Sequence, residues 1–207
     1  MQRLILAAVL SVASFNAHAD EQVRSVTPFK GINVHGPVSL TVEAGKAFSL
    51  RVIGDPRFIA RVSSEVVNGE LRLHMKDSNR TSIESSDRVV VTMPELQTFR
   101  GEGAGVMRLN KLRGERLDVN YRGAGRLAID GEVRELRLRA QGVGEVDTKD
   151  LITREADVSF EGIGSVSVHA KDKLNAKVQG MGNLTYYGNP RIVSKSVSGI
   201  GSVVAVK

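Results

Sequence analysis

The sequence predicts an all-β fold of the β-solenoid (β-helix-like) kind, and two observations support this prediction. Gly-x-Gly triplets recur six times, with 20, 19, 20, 18 and 19 residues between their first glycines. Apolar and polar residues alternate on both sides of the triplets, which is typical of strands with one buried face. A fixed period of this length is typical of stacked repeats. The triplets are Gly103-Ala104-Gly105, Gly123-Ala124-Gly125, Gly142-Val143-Gly144, Gly162-Ile163-Gly164, Gly180-Met181-Gly182 and Gly199-Ile200-Gly201.

Each triplet is predicted to form a corner of the stack. Apolar residues stand six, four and two positions before the first glycine, as in Leu117, Val119 and Tyr121. We interpret the triplet as a point where the alternation changes phase and where the middle side chain, apolar in all six triplets, points inward. Glycine allows the unusual backbone angles and the close approach that such a corner needs. A dinucleotide-binding loop would need a third glycine and a following helix, and neither pattern is present.

The first nineteen residues (1–19) are predicted to be an export signal. Arg3 supplies a positive start, an apolar stretch runs from Leu4 to Phe15, and Ala17-His18-Ala19 matches a small-x-small cleavage site. The apolar stretch is too short for a stable membrane span and no second one follows, so we expect no transmembrane segment in the mature chain. The expected location is the periplasm or, after secretion, the cell surface or the medium.

Residues 20–95 are predicted to form an N-terminal β segment that continues or caps the repeats of residues 96–207. Short alternating runs in this segment are broken by turn residues, and Asn68-Gly69 is a strong hairpin signal. No linker separates the two parts of the chain. An open end of a β-stack exposes strand edges and core, so a cap meets a physical need.

Composition excludes several kinds of site. The chain has no cysteine, so it forms no disulfide and has no thiolate chemistry. It has no tryptophan, three tyrosines and six phenylalanines, which disfavours a sugar cleft built on aromatic platforms. Stability must therefore come from core burial and strand pairing.

A basic stretch runs from Arg100 to Arg139, with ten Lys or Arg residues against six acids. It could bind an anionic partner such as an acidic glycan or lipopolysaccharide; nucleic acid is not expected. The alternative is that stacked repeats pair these charges internally, which would place Arg126 beside Glu145 and Arg137 beside Asp157. The candidate anion-binding residues are Arg108, Arg113, Arg116, Arg122 and Arg126.

The sequence predicts no catalytic, cofactor or metal site. His35, His74 and His169 fall in different predicted strands, and none stands at metal-ligand spacing from another. No Gly-x-Ser-x-Gly elbow occurs. The alternative is a polysaccharide lyase or hydrolase on a β-helix scaffold. The acids available to it, which do not share one repeat position, are Asp130, Asp147, Asp150 and Asp172.

The N-terminal segment also carries a resemblance to a known family. The segment Phe29-Lys30-Gly31-Ile32-Asn33-Val34, the pattern Leu50-x-Val52-x-Gly54-Asp55 and the pattern Gly69-x-Leu71-x-Leu73 resemble the GIN-domain family. That family is described as putative autotransporter adhesin heads. The resemblance implies an exported bacterial β-helix-like protein. Because the chain ends at Lys207 within its last repeat, we expect no membrane-embedded translocator barrel.

Together these observations predict an exported envelope or surface protein without catalytic activity. It would resemble an adhesin head and present an elongated face to a glycan, a lipid head group or another protein, because solenoid faces are rigid and broad. The identity of the partner is not predicted, and no cofactor is expected.

Overall fold

The computed structural model describes residues 20–76 and 87–206, so the predicted export signal lies outside the described residues. Strand accounts for 80% and helix for 3% of the described residues, which confirms the all-β class, and the strands form an open sheet. Within the described ranges, no helix is long and apolar enough to cross a membrane.

Seven short strands and one helical turn precede the repeats. Asp55 caps the helical turn, because its side chain accepts hydrogen bonds from the backbone nitrogens of Arg57 (2.6 Å) and Phe58 (2.9 Å). The predicted hairpin is confirmed at Asn68-Gly69, where both residues have positive φ (52° and 74°), as a two-residue turn requires. The elements are β1 (Asp20–Arg24), β2 (Gly31–His35), β3 (Leu40–Ala44), β4 (Ser49–Gly54), α1 (Pro56–Arg61), β5 (Val62–Val67), β6 (Glu70–Met75) and β7 (Arg88–Met93).

The repeats form one extended segment, β8 (Thr98–Tyr187), followed by β9 (Ile192–Gly199) and β10 (Ser202–Ala205). Both short strands pair in parallel with residues 19 positions earlier in β8, as in Lys173 with Ile192 and Asn183 with Ser202. The start of β8 pairs in parallel with β2 and then with β3. The strand order is β1-β4-β7-β3-β8-β2-β6-β5, with β9 and β10 also on β8, so the N-terminal strands and the repeats share one sheet.

The predicted alternation is confirmed by burial. Every inward position that the pattern marks around the central triplets is buried, and the polar positions between them are exposed or half-buried. The buried side chains before the triplets include Leu117, Val119, Tyr121, Leu136, Leu138, Ala140, Ala156, Val158, Phe160, Leu174, Ala176 and Val178. The core therefore runs through the repeats as far as Tyr186 and continues into the N-terminal strands.

The prediction that the alternation changes phase at each triplet was wrong. Tyr121 and Leu127 stand six residues apart on either side of one triplet, and both are buried. The middle residue, Ala124, is exposed. The two glycines thus occupy the inward positions, because there the chain passes so close to the preceding repeat that no Cβ fits.

One buried polar group in this core has no hydrogen-bond partner among the described residues, the hydroxyl of Tyr121. The residue is 5% exposed, and burial raises the pKa of its phenol. We expect Tyr121→Phe to raise the free energy of unfolding by about 1 kcal/mol, because an unpaired buried hydroxyl costs desolvation energy. Urea unfolding of the two proteins measures the difference, with Tyr187→Phe as a control at a half-exposed position. A loss of stability in Tyr121→Phe would mean that this hydroxyl is bonded.

Candidate binding surface

The middle residues of the six triplets form a row of exposed apolar side chains. The prediction that they point inward was wrong: Val143 is 55%, Ile163 47%, Met181 51% and Ile200 77% exposed, and both alanines are exposed as well. They lie in a row because the glycines beside them abut from one repeat to the next. We call this set the triplet row; it comprises Ala104, Ala124, Val143, Ile163, Met181 and Ile200.

Two tracks without side chains border the triplet row. A Cβ on Gly162 would overlap the carbonyl oxygen of Gly142, and one on Gly164 would overlap that of Gly144. The same overlap recurs through nearly all the triplets, so glycine is required on both sides of the row. The outcome is a low apolar ridge with a strip of bare backbone on each flank. Strands that neighbour in a sheet are about 4.8 Å apart, so the six residues span about 24 Å.

Polar side chains, with Val106 as the exception, line the outer border of each track. On one side Arg122 donates to the amide oxygen of Gln141 at 3.1 Å, and Gln141 donates to the carboxylate of Glu161 at 3.0 Å. This border consists of Glu102, Arg122, Gln141, Glu161, Gln179 and Ser198. The opposite border consists of Val106, Arg126, Glu145, Ser165, Asn183 and Ser202.

A cluster of ion pairs lies beside the second border. The guanidinium of Arg126 is 3.5 Å from Glu145 and 3.3 Å from Asp147, and Lys149 is 3.1 Å from Asp147. The predicted Arg126–Glu145 pair is therefore confirmed. Partial burial alone would raise the pKa of Asp147, but the hydrogen bonds from Lys149 and the charges of Lys149 and Arg126 hold that pKa below its usual value.

This cluster should make stability depend on acid pH. Because the pKa of Asp147 is lower in the folded than in the unfolded chain, the ionised carboxylate stabilises the fold above about pH 4, and this contribution disappears as the pH falls through the folded-state pKa. We expect Asp147→Asn to cost about 1–2 kcal/mol at neutral pH and to flatten the acid limb of a stability–pH curve. Asp150→Asn, at a 69% exposed side chain on the same lysine, is the matched control. Equal losses in both variants would contradict the assignment.

The five arginines predicted to bind anions do not share one cavity. Three of them already have polar partners: Arg116 bonds Asp118 at 2.8 Å, Arg122 bonds Gln141, and Arg126 bonds the cluster just described. Arg108 and Arg113 are exposed. The anion-binding role of Arg108, Arg113, Arg116, Arg122 and Arg126 stays a prediction. The predicted Arg137–Asp157 contact is replaced by one to Glu135 at 2.8 Å, because the two side chains project from the same face of one strand.

A cavity of about 740 Å³ holds charges of both signs. Arg134 lies 3.5 Å from Glu115, and Arg191 lies 3.0 Å from Asp172. Two of its three acids are thus bound by arginine, and the cavity offers no pair of free carboxylates of the kind that glycoside hydrolysis uses. A second cavity of about 360 Å³ contains Arg100, Arg122 and Arg139, of which only Arg122 belongs to the predicted anion-binding set.

One contact between histidines was not predicted from the sequence. His35 and His74 stand directly opposite each other on β2 and β6, with ring centroids 5.2 Å apart. Glu102 lies 3.5 Å from Nδ1 of His35. Only the pairing register of β2, β6 and β8 brings these three side chains together. Among residues 20–76 and 87–206, no group of three or more His, Cys, Asp or Glu side chains is arranged to hold a metal ion.

This chain resembles a known protein family. A family described as "Putative auto-transporter adhesin, head GIN domain" matches residues 28–190. The chain belongs to the GIN-domain family. No curated protein matches its sequence.

Solved structures show the same fold for this GIN-domain chain. A putative adhesin from Bacteroides fragilis NCTC 9343 is similar with a TM-score of 0.75 and 21% identity, over 92% of this chain and 98% of the other. A putative adhesin from Parabacteroides merdae ATCC 43184 gives 0.53 and 16%, over 93% and 98%. A putative lipid binding protein from Parabacteroides distasonis ATCC 8503 gives 0.50 and 22%, over 93% and 98%. At these identities the likeness defines the fold.

Proposed function

We propose that this GIN-domain protein is an exported, non-catalytic, adhesin-like binding protein that makes its contacts through the triplet row. The observation that carries the proposal is the exposure of an apolar side chain in all six triplets. A polar residue would be better solvated at each of these positions, and contiguous exposed apolar surface marks interaction sites. The family and two of the three structural neighbours described above are named for adhesion, which supports the same class of function.

The scaffold that presents this surface is proposed to be a β-solenoid. Its support comes from the parallel pairing at an offset of 19 residues in β9 and β10. The stacked glycines of the earlier triplets support the same offset along β8. A rigid stack holds the triplet row straight, so a partner meets it without a cost for ordering the surface.

A carbohydrate-active enzyme is the weaker candidate, because its acids have structural partners. Asp130 accepts a hydrogen bond from the backbone nitrogen of Lys111 at 2.8 Å, and Asp147 belongs to the ion-pair cluster. Asp150 and Asp172 are paired with Lys149 and Arg191. Release of reducing ends or unsaturated uronates from a panel of acidic polysaccharides would contradict the non-catalytic proposal.

Export and surface display are tested together in a Gram-negative host that expresses the full chain. Cells are fractionated, and intact cells are treated with protease. Digestion from outside supports the adhesin-like function and implies a separate translocator. Protection until the outer membrane is opened would place the protein in the periplasm, which overturns adhesion and leaves a binding role within the envelope.

A further inference from the structure

We propose that the cavity around Asn120 binds the phosphate or sulfate group of a saccharide. This cavity of about 360 Å³ lies on the outer face of the sheet, beside the end of the triplet row that consists of Ala104 and Ala124. The proposal goes beyond the proposed function, since it concerns a second site with a different chemistry. It is carried by the positions of three arginines, by the shortage of acids around them and by the carboxamides among them.

The stacking of the repeats brings the three arginines together. The abutting glycines of successive triplets place Asn120 beside Arg100 on one strand and beside Arg139 on the next. Arg100 and Arg139 are therefore two strand spacings apart, about 10 Å, with the short side chain of Asn120 between them. Arg122 lies about 7 Å further along the strand of Asn120 and on the same face. Three guanidinium groups can thus reach the space above one asparagine.

Two of these guanidinium groups form no ion pair within the part of the chain that the structure describes. Arg122 donates a hydrogen bond to the neutral amide of Gln141 at 3.1 Å. No hydrogen bond or ion pair joins Arg139 to another residue of the described ranges. Arg100 is bonded to Glu70, which lies outside the cavity. Since each guanidinium has five N–H donors, most donors of the three groups stay available.

The acid in the cavity lining does not neutralise the arginines. Glu102 is the acid of this lining, and its carboxylate lies 3.5 Å from Nδ1 of His35, on the strand that flanks it on the side away from Arg122. Three arginines against one glutamate leave a surplus of two positive charges. Like charges on neighbouring strands repel each other. A bound anion would remove this repulsion, so the cavity favours a ligand with negative charge.

The number and directions of the donors select the kind of anion. A carboxylate has two oxygens in one plane and is matched by a single guanidinium that donates two parallel hydrogen bonds. A phosphate or sulfate ester has three terminal oxygens that point in different directions. Such a group can accept from Arg100, Arg122 and Arg139 at once, because these side chains approach it from three positions on the sheet. The arrangement therefore fits a tetrahedral oxyanion better than a carboxylate.

The rest of the lining suits a sugar better than an acyl chain. Asn33 stands opposite Arg100 and lines the same cavity as Asn120. Each of these carboxamides offers both donors and an acceptor, which matches sugar hydroxyls that donate and accept. The less polar members of the lining, Gly101 and Tyr121, are buried in the sheet, so no exposed apolar side chain is present for a lipid tail.

Isothermal titration calorimetry of the mature chain tests the proposal with glucose 6-phosphate and glucose 6-sulfate. Glucose and inorganic phosphate serve as the two component probes. We expect saturable binding of at least one ester at concentrations up to about 10 mM, at least about threefold tighter than that of inorganic phosphate, and none of glucose. Binding should weaken when sodium chloride is raised from about 10 mM to about 150 mM, because the Debye length falls from about 30 Å to about 8 Å.

Arg139→Gln should weaken the binding of the ester at least about fivefold, because it removes a charged donor from the cavity. The matched control is Arg137→Gln, which removes the same charge two positions earlier on the same strand, from an arginine bonded to Glu135. The control should bind like the wild type. Both arginines are exposed, and circular dichroism and melting confirm that the variants are folded. Ile163→Ser, in the triplet row, should also bind like the wild type, so the cavity and the proposed function are tested separately.

Absence of binding by both esters would overturn the proposal, and so would equal weakening by the two arginine substitutions. Inorganic phosphate that binds as tightly as glucose 6-phosphate would overturn the saccharide as the carrier of the group. Vesicles that contain phosphatidic acid test a lipid as the carrier. Binding of these vesicles through Arg139, without binding of either sugar ester, would identify a lipid head group and overturn the assignment to a saccharide.

Discussion

Gly162→Val is expected to unfold the protein or to lower its free energy of unfolding by more than about 4 kcal/mol. Gly162 has φ +147°, and a Cβ there would overlap the carbonyl oxygen of Gly142 in the preceding repeat. The contact is backbone against backbone, so no side chain can turn aside to relieve it. The strand would have to separate from its neighbour, which breaks the pairing on both sides of the triplet. Thermal melting followed by circular dichroism measures the loss.

The control separates steric overlap from backbone strain. Gly45 also has a positive φ (+78°), but a Cβ there would have no heavy atom within 4 Å. Gly162→Ala should therefore destabilise far more than Gly45→Ala, whose cost should be about 1 kcal/mol from the left-handed conformation alone. Equal melting temperatures for the two alanine variants would mean that the repeats are not in contact at the triplets.

Lys195→Leu is expected to make the protein associate through the C-terminal end of the sheet. Lys195 is in register with Ala176, an inward-facing residue that is 1% exposed, so the lysine stands at a core position of the last repeat. Its ammonium group lies 5.3 Å from the ring centre of Tyr186 and 3.4 Å from the carbonyl oxygen of Val203. The side chain thus extends across the end of the core.

The charge matters because β9 and β10 pair only with β8 among the described residues. An open strand edge beside exposed apolar residues invites pairing with another chain, and an inward-pointing lysine prevents such pairing. Lys195→Leu, made in the Ile163→Asp background to exclude contacts through the triplet row, should elute from a size-exclusion column as dimers or larger species. Lys177→Leu, at an exposed position on β8, should stay monomeric. A monomeric Lys195→Leu protein would show that the charge does not protect this end.

The sequence carried enough information for the fold class because the repeats are short-range patterns. Alternation with period two marks which side chains enter the core, and it identified Leu136 and Val158 without any knowledge of the neighbouring strands. The Asn68-Gly69 turn was equally predictable, since its backbone conformation is a local property. The Arg126–Glu145 pair followed once the repeat length was known.

Other features depend on geometry that the pattern does not contain. The orientation of Ile163 was misjudged because its apolar character was taken as evidence of burial. Side chains alternate between the two faces of a strand, and this alternation places Ile163 on the solvent side. His35 and His74 are 39 positions apart, and only the pairing of β2 with β6 brings them together. Arg137 bonds Glu135, which stands two positions earlier on the same face of its own strand, and an alignment of one repeat with the next does not reveal a contact within a single repeat.

The strand order also sets the sequence of events in folding. β2 lies between β6 and β8, and β3 lies between β7 and β8. Gly31 pairs with Thr98 and Leu40 with Met107, across 67 residues each, whereas neighbouring stretches of the C-terminal repeats are only 19 residues apart. Short loops close faster than long ones, so neighbouring repeats can pair early, and pairing can begin at any repeat. β2 and β3 can pair with β6 and β7 before the repeats are complete, so only their second edges wait until the middle of the chain has left the ribosome.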